Sequence, residues 1–247
     1  MELRRSIWMG LTLQTILLAG LKVETSAAFD KYAQSTEQRM DRELKQGHFL
    51  VLGNTSRSNI VVQDYKGDEA AVVPHGQIHH WLGGVFLPGA TLAQVAAIKQ
   101  DYDHYKDIYK PDVVESRLIK RSGDEFEMYL KISKKQLLTV VYDTYYTVHY
   151  YSPEPGKMFL RSYATKIDEV DRPAGQDRGC LWRLNSYWRL QEADGGVYVE
   201  CEALSLSRDV PTFLSYIVGS FINKFPAESM RNTLAALKRE SDMRVHK

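Results

Sequence analysis

Residues 180–210 read CLWRLNSYWRLQEADGGVYVECEALSLSRDV, two alternating runs parted by Asp194-Gly195. In the first, Trp182, Leu184, Trp188 and Leu190 fall on one face and Arg183, Asn185, Tyr187 and Arg189 on the other. In the second, Val197, Val199, Cys201 and Ala203 oppose Tyr198, Glu200 and Glu202. Period-two alternation marks a half-buried strand. Asp-Gly between two such runs marks a tight hairpin, because both central residues need positive φ. A turn there sets Trp188 opposite Cys201 and Arg189 opposite Glu200, an opposite-charge pair expected on the solvent face. Arg208-Asp209-Val210-Pro211 then opens a helix carrying Phe213, Leu214, Ile217, Val218, Phe221, Ile222 and Phe225. A long helix on an antiparallel sheet can enclose a hollow as well as a core.

Upstream, the spacing predicts a helix over residues 29–46 and short strands at Phe49–Leu52 and Ile60–Gln63. Gln77–Leu87 reads as a strand stopped by Pro88-Gly89, and Thr91 as the cap of a helix over Leu92–Gln100. A Tyr-rich helical piece follows until Pro111. Four strands come next, Val113–Lys120, Glu125–Ile132, Leu137–Tyr150 and Met158–Ile167, with Lys134-Lys135 read as an exposed turn. At the far end Met230, Leu234 and Leu237 lie about 150° from the stripe that precedes Pro226. This predicts a kink or break at Pro226, with the second half turned toward another surface such as the N-terminal helix.

The order of strand, two short helices, strand meander and long terminal helix resembles the helix-grip fold of the START-like superfamily, also called the polyketide cyclase/dehydrase and lipid-transport or SRPBCC group. The likeness spans roughly residues 75–240. It rests on Ile78-His79-His80-Trp81-Leu82-Gly83-Gly84-Val85-Phe86, the helices after Pro88, and Ser205-Leu206-Ser207-Arg208-Asp209-Val210-Pro211. The resemblance implies an α+β fold, an antiparallel curved sheet of six to seven strands gripping a C-terminal helix, here with an N-terminal helical extension. It also implies a cavity for a hydrophobic or amphipathic small molecule or lipid.

Alternation selects side chains for that cavity. Met128 points inward with Phe126, Leu130 and Ile132. A turn at Lys134-Lys135 then brings Val141, Asp143, Tyr145 and His149 inside, and the next turn adds Phe159, Arg161 and Tyr163. With Trp182 and Trp188 from the hairpin and Phe213, Ile217 and Phe221 from the helix, these form an apolar wall with few polar groups. The alternative is a solid core in which Asp143 and Arg161 pair. Three functions follow: carriage of an apolar ligand; a cyclase or hydratase in which Asp143, His149 or Arg161 steers a reactive ligand; or an interaction protein with a closed core. The excess of Tyr over Phe, 15 against 8, suits ligands that are apolar with some hydrogen-bonding groups.

Other chemistries are absent from the sequence. His79 and His80 are strand neighbours on opposite faces, and His75 and His79 lie ~13 Å apart along an extended strand. There is no zinc, calcium, serine-hydrolase or phosphate-loop motif, so no metal or cofactor is expected.

Arg4-Arg5, an apolar run from Ile7 to Leu21 and small residues to Ala28 match a secretory signal peptide, with cleavage expected after Ala27 or Ala28. An uncleaved anchor through residues 7–21 is the alternative. Removing Arg4, Arg5 and Lys22 from 32 basic residues, and Glu2 and Glu24 from 31 acidic ones, leaves 29 of each. A neutral chain without a basic cluster is a poor partner for nucleic acid. Export would permit a disulfide, but the hairpin register holds Cys180 and Cys201 about 26 Å apart, beyond bridging distance. The chain thus divides into signal peptide 1–28, an N-terminal helix and short strands 29–74, the main domain 75–240 and a charged, fraying tail 241–247.

Overall fold

In the computed structural model, residues 20–65, 72–135, 139–173, 175–209 and 220–245 are described. The helices are α1 (Val23–Lys45), α2 (Leu92–Gln100), α3 (Tyr105–Ile108) and α4 (Ser220–Val245). The strands are β1 (Val61–Asp64), β2 (Val72–Val73), β3 (Gly76–Pro88), β4 (Val113–Ser122), β5 (Glu125–Lys135), β6 (Thr139–Tyr151), β7 (Lys157–Glu169), β8 (Arg183–Ala193) and β9 (Gly196–Arg208). They form one curved, unclosed antiparallel sheet in the order β1-β3-β9-β8-β7-β6-β5-β4, with β2 also on β3. The strand count exceeds six to seven because β1 and β2 pair with β3 instead of standing apart.

The hairpin forms in the expected register. Trp188 faces Cys201 and Arg189 faces Glu200, and Asp194 and Gly195 take φ of 55° and 75° at the turn. Arg189 and Glu200 are not on a solvent face, however; they are 2% and 1% exposed. An outer layer covers them. Glu200 accepts the backbone N–H groups of Val51, Leu52 and Gly53, at 2.7, 2.8 and 2.9 Å. That carboxylate takes the donors a strand ladder would use, so Phe49–Leu52 is not a strand. Burial nonetheless outweighs the three donors and raises the Glu200 pKa.

The same layer includes α1, which lies across the outer face with Phe29, Ala33 and Met40 packed on Ile78, Phe159, Tyr187 and Leu204. Arg39 and His80 both engage Glu202, the latter at 2.6 Å, and Arg189 pairs with Glu43 at 2.7 Å. Burial opposes charge on Glu43, but hydrogen bonds from Arg39 and Arg189 prevail and hold its pKa below the usual range. The first turn of α1 is also tied down: Thr25 is fully buried and donates to the Pro74 carbonyl at 2.7 Å. Arg183 bonds Ser26 at 2.7 Å.

On the inner face, α2, α3 and α4 pack over the sheet around Val85, Leu87, Trp188 and Val199. A capping box of Thr91 and Gln94 starts α2. The helix α4 runs unbroken through Pro226 to Val245. Its Met230, Leu234 and Leu237 are buried in the inner-face core, Met230 and Leu234 against Gly83 of β3, and not in the cluster that holds α1. The tail does not fray at Lys238 or Ser241: Ser241 is buried, and Arg244 pairs with Asp101 at 2.9 Å. Phe213, Ile217 and Phe221, and most of the expected signal or anchor segment, fall outside the residues whose side chains are described.

Candidate functional site

The inner face of the sheet and the helices α2, α3 and α4 enclose a cavity of about 440 Å³. Its sheet wall comes from alternate positions: Met128 and Leu130 on β5, Tyr146 and Tyr150 on β6, Leu160 on β7, Trp188 on β8 and Cys201 on β9. From the helical side Tyr102, Tyr105 and Tyr109 close one end, and Phe225, Met230 and Thr233 of α4 close another. The tyrosines form a bonded floor. Tyr102 and Tyr150 share a 2.6 Å hydrogen bond, and Tyr150 and Tyr105 donate to the Lys99 carbonyl at 2.9 and 2.6 Å. A cavity of this size, aromatic and apolar with a few polar groups, has the dimensions of a small-molecule site.

A STAR-related lipid transfer protein from Xanthomonas axonopodis (fragment 25–204) superposes with a TM-score of 0.53 at 21% identity, over 73% of this chain and 98% of that one. The fold is a START-like helix grip. Two further solved helix grips match less closely, each with a TM-score of 0.47. The Zhui aromatase/cyclase of Streptomyces sp. R1128 covers 68% of this chain and 96% of its own at 12% identity. Human STARD10 covers 80% and 81% at 9% identity. No protein-family model and no curated protein matches the chain.

Within the grip, the expected lining divides by strand. Met128 and Trp188 line the cavity. Val141, Asp143, Tyr145 and His149 do not, because β5 extends through Lys134 and Lys135 and Lys135 pairs with Thr139. Met128 therefore pairs with Tyr146, and even positions of β5 meet even positions of β6. One residue of register moves a whole strand face, so Tyr142, Tyr146, Val148 and Tyr150 point inward instead. The error carries across β7, since His149 pairs with Arg161 and Tyr150 with Leu160. Arg161 and Tyr163 consequently reach α1, where Arg161 meets Asp41 and Tyr163 donates to Glu37 at 3.0 Å.

Asp143 and His149 are not brought together as an acid–base pair. Asp143 accepts from Tyr129 at 2.7 Å, while His149 faces Glu125 at 3.4 Å. Trp182 precedes β8, packs with the outer cluster and donates to Asp177 at 2.8 Å. Its alternation with Leu184 fails because the strand starts only at Arg183.

Two lysines line the grip that sequence reasoning missed. Lys134 continues the inward alternation of β5 and bonds Asp112 and, at 3.0 Å, Ser229 on α4. Lys99, in the last turn of α2, is 5% exposed with Nζ 3.4 Å from the Trp188 ring centroid. Burial lowers its pKa to about 8.

The thiols and phenols of the cavity wall, and His79 outside it, are held neutral. Burial pushes Cys201 up to about 12, Cys180 up to about 11 and Tyr146 up to about 12, and raises Tyr102, Tyr105, Tyr109 and Tyr150. His79, bonded to Ser207 at 2.9 Å, is lowered to about 4 by burial. Both cysteines are free. Among the described residues, no group of three or more His, Cys, Asp or Glu is placed to hold a metal ion. Among them, too, no helix is long and apolar enough to cross a membrane.

Proposed function

We propose that the cavity carries a hydrophobic or amphipathic small molecule without covalent chemistry. One observation carries this reading: the cavity of about 440 Å³ is walled mainly by aromatic and apolar side chains, and burial keeps its two thiols and its phenols protonated. Protonated phenols and a thiol with a pKa near 12 are poor bases and nucleophiles but good apolar surface with hydrogen-bonding ends. The name of the Xanthomonas relative, a lipid transfer protein, agrees with it. Asp143, His149 and Arg161, which the cyclase or hydratase alternative would use, lie on the outer face away from the cavity.

Export through the N-terminal segment belongs to the same proposal. Because α1 begins at Val23 and uses Thr25 and Ser26, processing ahead of α1 would leave the fold whole. Processing after Ala27 or Ala28 would remove its first turn. Native mass spectrometry of the protein recovered from the exported fraction tests both points. The expected result is a chain that retains Val23 and holds one noncovalent small molecule, released on denaturation. A ligand-free protein that also fails to bind a neutral apolar probe would overturn the carrier reading. A full-length chain in the membrane fraction would mean an uncleaved anchor through residues 7–21 in place of a cleaved signal.

A further inference from the structure

Three lysine and arginine side chains are buried among the described residues: Lys99, Lys134 and Arg189. Lys134 has Asp112 and Arg189 has Glu43. No carboxylate among the described residues pairs with Lys99, whose Nζ rests on the Trp188 ring at the cavity wall. A buried ammonium is costly unless an anion compensates it. The indole face and the carbonyl end of α2 compensate only in part. Three hydroxyls at the α2 end of the cavity are already engaged, since Tyr105 and Tyr150 turn to the Lys99 carbonyl and Tyr102 turns to Tyr150.

Two buried tyrosine hydroxyls on the cavity wall, those of Tyr109 and Tyr142, are left over. The Tyr142 hydroxyl lies toward Cys180, and the Tyr109 hydroxyl is buried beside Tyr105 without a well-aligned hydrogen bond. Tyr109 packs edge-on against Tyr105, with ring centroids 4.7 Å apart, and Tyr105 donates to the Lys99 carbonyl, which places Tyr109 and Lys99 in one neighbourhood. A cation without a carboxylate partner and an O–H on the wall of a largely apolar hollow make a subsite for an anion attached to an apolar body. The volume of about 440 Å³ is that of a site for one small ligand.

We infer that the cavity receives a single-chain amphiphile with one anionic end, a carboxylate or a phosphate, which pairs with Lys99 and accepts from Tyr109. The inference rests on the carrier reading and sharpens it to a ligand class. The test is calorimetric titration of wild type and Lys99→Met with hexadecanoic acid, hexadecyl phosphate and hexadecan-1-ol. Wild type is expected to bind at least one anion about tenfold tighter than the alcohol, and the tighter anion tells carboxylate from phosphate. Lys99→Met is expected to bind the alcohol as wild type does and to lose the preference. Lys99→Gln serves if the Met variant misfolds. Tyr109→Phe should weaken only the anions, roughly threefold.

Equal binding of all three by wild type would overturn the anionic subsite and leave the carrier reading standing. Binding of none would overturn both. A preference that persists without Lys99 would overturn its assignment.

Discussion

Lys99 stands where helical spacing calls for an apolar side chain. Leu92, Val95, Ala96 and Lys99 share one face of α2, and Val95, Ala96 and Lys99 are all buried. That signal was legible: a lysine on the apolar stripe of a short helix invites the question of its partner. Its consequence for stability can be worked out. The folded chain holds the Lys99 proton less firmly, with a pKa of about 8 against 10.5. The unfolded chain therefore binds more protons between those values, and stability rises with pH across that window. Below about pH 8 the destabilisation is fully present. Lys99→Met should accordingly stabilise the ligand-free protein by ~1–3 kcal/mol at pH 7, with the gain vanishing above about pH 10.5. Urea denaturation of both proteins at pH 7 and pH 10.5 measures it; a Met variant less stable at pH 7 would contradict the unpaired charge. A residue kept at a cost to stability is expected where it serves a ligand.

Among elements, the β8–β9 hairpin, the capped α2 and the strand meander could be read directly, because each depends on local chemistry: Asp194-Gly195, Thr91 with Gln94, and period-two alternation. The face of β6 and β7 could not. It depends on where the chain turns after Lys135, and Lys134 looked like turn charge while serving as a buried strand residue paired with Asp112. Nor did alternation reveal that a helix would cover the outer face, so buried Arg189 and Glu200 looked like a solvent pair. Gly83 and Gly84 did carry a readable hint of two covered faces. A Cβ on Gly83 would lie 2.5 Å from the Met230 sulfur of α4, and one on Gly84 2.8 Å from Leu52 of the outer layer. Gly83→Val should cost ~1–3 kcal/mol by pushing α4 away, and Met230→Ala should recover part of it in a double-mutant cycle. Thermal denaturation of the four proteins measures the coupling; strictly additive effects would contradict the close approach.

For the whole molecule, the sheet separates two environments. Its outer face is covered by α1 over β3, β7, β8 and β9 through apolar packing and ion pairs such as Arg189–Glu43. Its inner face is hollow, because α2, α3 and α4 meet it around the cavity. The START-like architecture was legible from the order of elements; the list of lining residues was only half so, since it turns on one register. The same register gives the account its sharpest test, titration with the neutral fluorescent probe N-phenyl-1-naphthylamine. Wild type should bind it. Ser186→Trp and Ala203→Trp, which fill the inner face, should weaken it ~10-fold or more while remaining folded. Asp143→Asn and Tyr145→Phe, on the outer face, should bind as wild type does. Binding that survives filling of the inner face, or that is lost with the outer-face variants, would contradict a ligand cavity between the sheet and α4.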